Sequence, residues 1–343
     1  MGPCLASAAD SPLLLQIQSS ALAGDLRPVN QLIEELDEAT LDPLSLVLLQ
    51  QYRDRFVQQS EAIGTANEAS FAIEVITVYQ DYWRSALTRT LSLEEAEHRL
   101  QDELRKLLRS GDSEFDDSEK IFDQLENALA QFDLGSSAGF TPPLRDLYIW
   151  SGQQTRPFQV ELTDGKEQVT VAFIEQPLVQ GWQHYASLDL VATSGWATDK
   201  GLFCLCWSYD LDSEAFRVSW LKHETRHLVD FREFPGIAES QMEYRAKLTE
   251  LAFYGNAVSG LLRNFANNGS ADSTSAHAQA NYQVSRDIYR EVFQQEMPEH
   301  LDAWQLLGPD RVAPAARRLL QRHTETLRGV QIIATGRSSC SAK

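Results

Sequence analysis

The chain is poor in cysteine and in basic residues, and it lacks any long apolar run. Its four cysteines, at positions 4, 204, 206 and 340, have no zinc-finger spacing. Cys204 and Cys206 stand two apart in an apolar stretch, so both thiols point to one face of a strand and read as buried structural groups. Nothing in the sequence supports a bridge between Cys4 and Cys340. With 30 Lys and Arg against 49 Asp and Glu, the net charge is −19, which disfavours binding to nucleic acid or to an anionic membrane. No stretch approaches the roughly 18 apolar residues of a membrane span. The absence of a repeat at a fixed period argues against a solenoid.

What is present is enough apolar residue, 43% of 343 positions, for one large domain or two to three smaller ones. Residues 11 to about 133 read as successive amphipathic helices, the longest from Glu68 to Thr90. Gly135 to Pro143 is rich in Gly, Ser and Pro, and a domain boundary is expected there. Beyond it the pattern turns to β. Phe158–Leu162 and Gln168–Ile174 alternate around Asp164-Gly165, a hairpin signal, and Leu188–Ala192 and Gly201–Trp207 follow as strands. Val258–Phe265, Val284–Gln295, Leu301–Leu307 and Ala313–Leu327 read as helices, with a small polar connector from Ala266 to His277 and a disordered tail from Gly336. The expected fold class is α+β, mainly helical, with a small and mostly antiparallel sheet. The expected domains are 1–135 (helical), 136–262 (the region of the motif below) and 263–343 (helical, with the tail).

The motif is His223-Glu224-Thr225-Arg226-His227. Two histidines four apart on a helix lie one turn apart on one face, so both imidazoles can reach a single metal ion. Glu224, about 100° further round, stands beside such an ion, where it can take a proton from water. On a helical wheel Trp220, Leu221, Leu228 and Phe231 share the broad half that holds His223, Glu224 and His227. Lys222, Thr225, Arg226, Val229 and Asp230 form the other. The motif is therefore expected on the inward face, with Arg226 exposed and paired to Asp230 four residues on. A buried carboxylate beside two imidazoles is costly unless a cation compensates it.

Phe234-Pro235-Gly236 ends that helix and turns the chain into a second, Ile237 to Phe253. Glu239, Glu243 and Glu250 fall within a narrow arc of it, with Lys247 and Tyr254 beside them, and one of the three is the expected third ligand.

H-E-x-x-H followed by a helix carrying Glu243-Tyr244-Arg245-Ala246, an E-x-x-A, resembles the glutamate-type zincin metallopeptidases, thermolysin-like enzymes among them. The likeness covers roughly residues 160 to 255. It implies one Zn2+ held by His223, His227 and Glu243, with Glu250 in reserve, and Glu224 as general base. It also implies a strand along the cleft, here Trp196–Trp207, that pairs with an extended substrate. An oxyanion-steadying residue is part of the pattern, for which Tyr254 and the pair His184-Tyr185 are available. Three departures are visible: Arg226 stands inside the motif, Lys247 replaces the acidic residue that often orients the first histidine, and the interval from His227 to Glu243 is short. With Lys247 there, the orienting role falls to Asp230 or Glu239. The metzincin extension is absent, because Asp230 and Glu233 replace its Gly and third His.

The implied function is zinc-dependent hydrolysis of a peptide or protein substrate. The alternative is a catalytically inactive zincin-like scaffold that binds proteins, with the N-terminal helices as the contact surface for a protein partner. Ala6-Ser7-Ala8 reads like the small-residue end of an export signal, although no basic stretch and apolar core precede it. It favours an exported, periplasm-like location over a cytoplasmic one.

Overall fold

The structure, a computed structural model, describes residues 12–58, 70–109, 120–198, 201–205, 209–255, 257–273, 275–298 and 307–339. The export-like segment, Cys4, Cys206, all but the last residue of the expected helix Leu301–Leu307, and Cys340 lie outside these. The fold class is as expected, α+β and mainly helical. The chain divides into two compact units, one of residues 1–153 and 174–193, the other of 154–173 and 194–343.

Among the described residues of the first unit, the α-helices α1 (Pro12–Ala23), α2 (Arg27–Glu35), α3 (Pro43–Tyr52), α4 (Ser70–Leu87), α5 (Leu93–Leu108) and α6 (Lys120–Ala130) precede a small sheet. Local chemistry sets their starts. Asp42 accepts from the N–H groups of Leu44 and Ser45 ahead of Pro43, and Ser92 and Glu95 form a reciprocal capping box at α5. α4 buries Val75, Ile76, Tyr79, Tyr82, Trp83, Ala86 and Leu87, a stripe at helical spacing that forms the centre of this unit's core.

The sheet of this unit pairs β1 (Gly135–Thr141) with β2 (Leu144–Trp150), and β2 with β5 (Pro177–Gln180), all antiparallel. The Gly- and Ser-rich run read as a domain boundary is therefore strand β1 and its turn, inside the first unit. Helix α7 (Gly181–Ala186) follows β5. The segment Leu188–Ala192, expected as a strand, is instead a turn and coil. Leu188 and Asp189 take φ of 56° and 64°, outside β geometry, and Arg55 and His184 hold the Asp189 carboxylate.

The second unit opens with the expected hairpin, β3 (Gln153–Leu162) and β4 (Gly165–Ile174), turned at Thr163-Asp164, one residue before the expected Asp164-Gly165. Strands β6 (Gly195–Thr198) and β7 (Gly201–Leu205) complete a four-stranded sheet in the order β3-β4-β7-β6, which leaves β6 on an edge. Gly195 has φ of 156°, and a Cβ there would meet the Phe203 carbonyl at 2.3 Å and the Trp220 indole at 2.6 Å. Only glycine lets this edge strand approach so closely. A π-helical stretch, Ala215–Trp220, stacks Phe216 on Trp220 and leads into α8 (Leu221–Glu233).

Gly236, at φ +80°, makes the bend after α8. Then come α9 (Glu239–Phe253), α10 (Val258–Asn267), α11 (Ala276–Phe293) and α12 (Pro309–Ser339). α10 runs across the expected division at 262, and α12 continues through Gly336, where a disordered tail was expected. Helix α9 is central: it packs against α8, α11 and α12, and every residue from Glu243 to Ala252 is buried.

Candidate metal centre

A helix enclosed on all sides is normally apolar all round. α9 is enclosed, yet Glu243, Arg245, Lys247 and Glu250 are all buried in it. Buried charges persist only when paired, and the partners come largely from α8.

On one side of that contact, Glu243 meets the two motif histidines. Its Oε1 lies 3.1 Å from His227 Nε2, and its Oε2 lies 3.5 Å from His223 Nε2. All three residues are buried, and one donor atom from each falls within 4.8 Å of the others. The two separations are to different oxygens of Glu243, and both are near the edge of about 3.3 Å that a tetrahedral site with bonds of about 2.05 Å would have. Two imidazole nitrogens and a carboxylate oxygen are a fitting donor set, and the cluster could hold a metal ion. The Pro-Gly bend makes this possible by returning α9 along α8 at the level of both imidazoles.

Glu250 touches the other nitrogen of the first histidine: its Oε1 is 2.7 Å from His223 Nδ1. It therefore orients His223 and leaves Nε2 turned toward Glu243, a role expected of Asp230 or Glu239. Neither of those fills it, since Glu239 is exposed and Asp230 is engaged elsewhere. Glu250 follows Glu243 by two helical turns, on the same face. His227 has no such support among the described residues, where its buried Nδ1 lacks a hydrogen-bond partner.

The side chains together favour positive charge. Burial pulls His223 down, but the Glu243 charge and hydrogen bonds to Glu243 and Glu250 outweigh it and lift the imidazole to about 10. Burial likewise pushes Glu243 up, yet His223 and the hydrogen bonds from the surrounding histidines hold it well below the usual carboxylate range. Glu224 is half-buried beside the cluster, and loss of solvent raises its carboxyl despite the opposing pull of His227 and His223. A carboxylate raised in this way is a better proton acceptor than an exposed one.

The expectation for the far face of α8 is corrected by the structure. Arg226 is not exposed: it is fully buried, as are Thr225 and Asp230, while Phe231 is 40% exposed. The helix is covered on both sides, so a polar face on the wheel is not a solvent face. Arg226 reaches Asp164 at the β3–β4 turn as well as Asp230, whose Oδ1 is 3.6 Å away. Asp230 also accepts from Arg245 Nε at 2.8 Å, and Arg245 Nη1 donates to Thr324 Oγ1 on α12. This ion-paired network fixes α8 against the hairpin, α9 and α12.

Among the other expected residues, Tyr254 closes α9 through its backbone N–H. His184 and Tyr185 belong to the first unit, where His184 pairs with Asp189 and Tyr185 lies in the core. Cys204 is buried, as expected, and in no disulfide among the described residues. Sequence reasoning missed His277, whose Nδ1 lies 2.9 Å from Glu243 Oε2. It also passed over Tyr209, which packs on Phe216 and Trp220. Burial raises the Tyr209 hydroxyl, the hydrogen bond to Ser194 lowers it, and the charges of Glu224 and Glu250 are close enough to contribute. Nothing about the polar run around His277 signals a ligand; only its histidine does.

No family model, no curated protein and no solved structure matches this chain.

Proposed function

We propose that the chain is a zinc-dependent hydrolase of peptide bonds, built on a zincin-like pairing of α8 with α9. The observation that carries this reading is the convergence of His223, His227 and Glu243 at the spacing of ligands around one ion. Two imidazole nitrogens and a carboxylate suit zinc better than magnesium or calcium, which take oxygen donors in larger numbers. A bound zinc supplies Lewis acidity, polarising a substrate carbonyl and acidifying water. Glu224 takes a proton from the attacking water on a carboxylate oxygen and delivers it to the nitrogen of the leaving amine. Strand β6, on the edge of the sheet and close to α8, offers backbone groups to an extended peptide.

The test is Glu224→Gln, assayed with a mixed peptide library and by metal analysis. The enzyme reading expects unchanged zinc content with turnover lowered by about 10²–10⁴-fold. Equal cleavage by the variant and the wild-type protein removes Glu224 as the base, and no cleavage by the wild-type protein of any peptide in the library favours an inactive protein-binding scaffold.

A further inference from the structure

Three of the groups around Glu243 come from α8 and α9, and the fourth does not. His277 stands in the first turn of α11, after the connector from α10. Its Nδ1, 2.9 Å from Glu243 Oε2, is closer to that oxygen than His223 Nε2 at 3.5 Å or Lys247 Nζ at 3.7 Å. It is also the open one, with 63% of its side chain exposed. Oε2 is buried, and among the described residues its close contacts with His277 and His223 fall short of aligned hydrogen-bond geometry, while Oε1 is the oxygen that faces His227.

The backbone that carries His277 is firmly tied. Ser270 N–H donates to the Ala278 carbonyl at 3.0 Å, Asn281 Nδ2 to the Asn268 carbonyl at 3.2 Å, and Gln279 Nε2 to the Ser273 carbonyl at 2.6 Å. Ser275 caps the helix by accepting from Ala278 N–H. The polar connector is thus fastened at its end, and the exposed ring of His277 can turn to align Nδ1–H with Oε2.

We propose that His277 is a positioning residue of the metal centre: it donates from Nδ1 to the outer oxygen of Glu243 and so turns Oε1 toward the ion. This rests on the metal-binding reading above. A glutamate side chain has several rotatable bonds, and Lys247 attracts its carboxylate without fixing its plane, because an ammonium is a compact charge with rotating donors. An imidazole N–H is directional and supplies what Lys247 lacks. His277 is not itself within the set of donors that share one point, which among the described residues is His223, His227 and Glu243.

The experiment compares wild type, His277→Ala and His277→Gln. Zinc affinity is measured by competition with a chelator, ligand geometry by visible absorption of the cobalt-loaded protein, and folding by circular dichroism. The alanine variant is expected to fold and still take up one ion, about 10–100-fold more weakly, with an altered cobalt spectrum. Glutamine, which keeps an N–H donor, restores most of the affinity. An alanine variant with wild-type affinity and spectrum overturns the inference. So does loss of stoichiometric binding in both variants with one nitrogen fewer in the X-ray absorption of the metal, because His277 is then a ligand. A wild-type protein that takes up no ion overturns the metal reading itself, and the inference with it.

Discussion

Glu250 Oε1 and His223 Nδ1 are 2.7 Å apart, on the side of the imidazole away from Glu243. One carboxylate of α9 thus holds the ring while another, seven residues earlier, faces its free nitrogen. The two roles predict two phenotypes. Glu243→Ala removes stoichiometric metal, whereas Glu250→Ala keeps one ion but binds it about 10–100-fold more weakly. Chelator competition on both variants is the check. The opposite order of effects would make Glu250 the ligand.

The network behind the metal helix predicts a cost in stability. Asp230 and Arg245 are both fully buried. Removing the carboxylate alone leaves two guanidinium groups, those of Arg245 and Arg226, short of a partner. Asp230→Ala is expected to destabilise the fold by about 3–5 kcal/mol, read from urea unfolding. A Phe231→Ala change, at an exposed position of the same helix, should cost far less.

A pH effect follows from His323, which packs edge-on against Tyr244. Burial, reinforced by the charge of Arg245, lowers its imidazole from 6.5 to about 4. The unfolded chain then binds a proton that the folded chain refuses, so stability is full above about 6.5 and falls as the pH drops toward 4. Replacing His323 with Gln should flatten that part of the stability–pH curve relative to wild type. The difference between the two curves, not either alone, is the measurement, because other carboxylates titrate in the same range.

Much of the centre could be read from the chain because its parts are local. The i, i+4 spacing of His223 and His227 and the glutamates on one face of the next helix depend on helical period alone, and the bend at Pro235-Gly236 on the local backbone preferences of Pro and Gly. The hairpin was legible from the turn chemistry of Asp164-Gly165, although its turn falls one residue earlier. What could not be read needed to know what lies around each helix. A wheel separates the faces of α8, but it does not say that the hairpin and α12 cover the second face, so Arg226 looked exposed. Glu243 and Glu250 share an arc, and only the way α9 passes α8 decides which meets Nε2 and which meets Nδ1. Leu188–Ala192 alternates like a strand, but the left-handed backbone at Leu188 and Asp189 breaks it. His277 reaches the site only because α10 and α11 fold its connector back against Glu243.

The central claim is that three side chains from two helices share one zinc ion, and metal analysis of the purified protein tests it most directly. The protein, prepared without chelators, is analysed by plasma mass spectrometry and zinc X-ray absorption, beside His227→Ala. The account predicts one zinc per chain with two imidazole nitrogens and carboxylate oxygen around it, lost in the variant. A wild-type protein that carries no zinc and takes none up on titration, or one that keeps its zinc without His227, would contradict it.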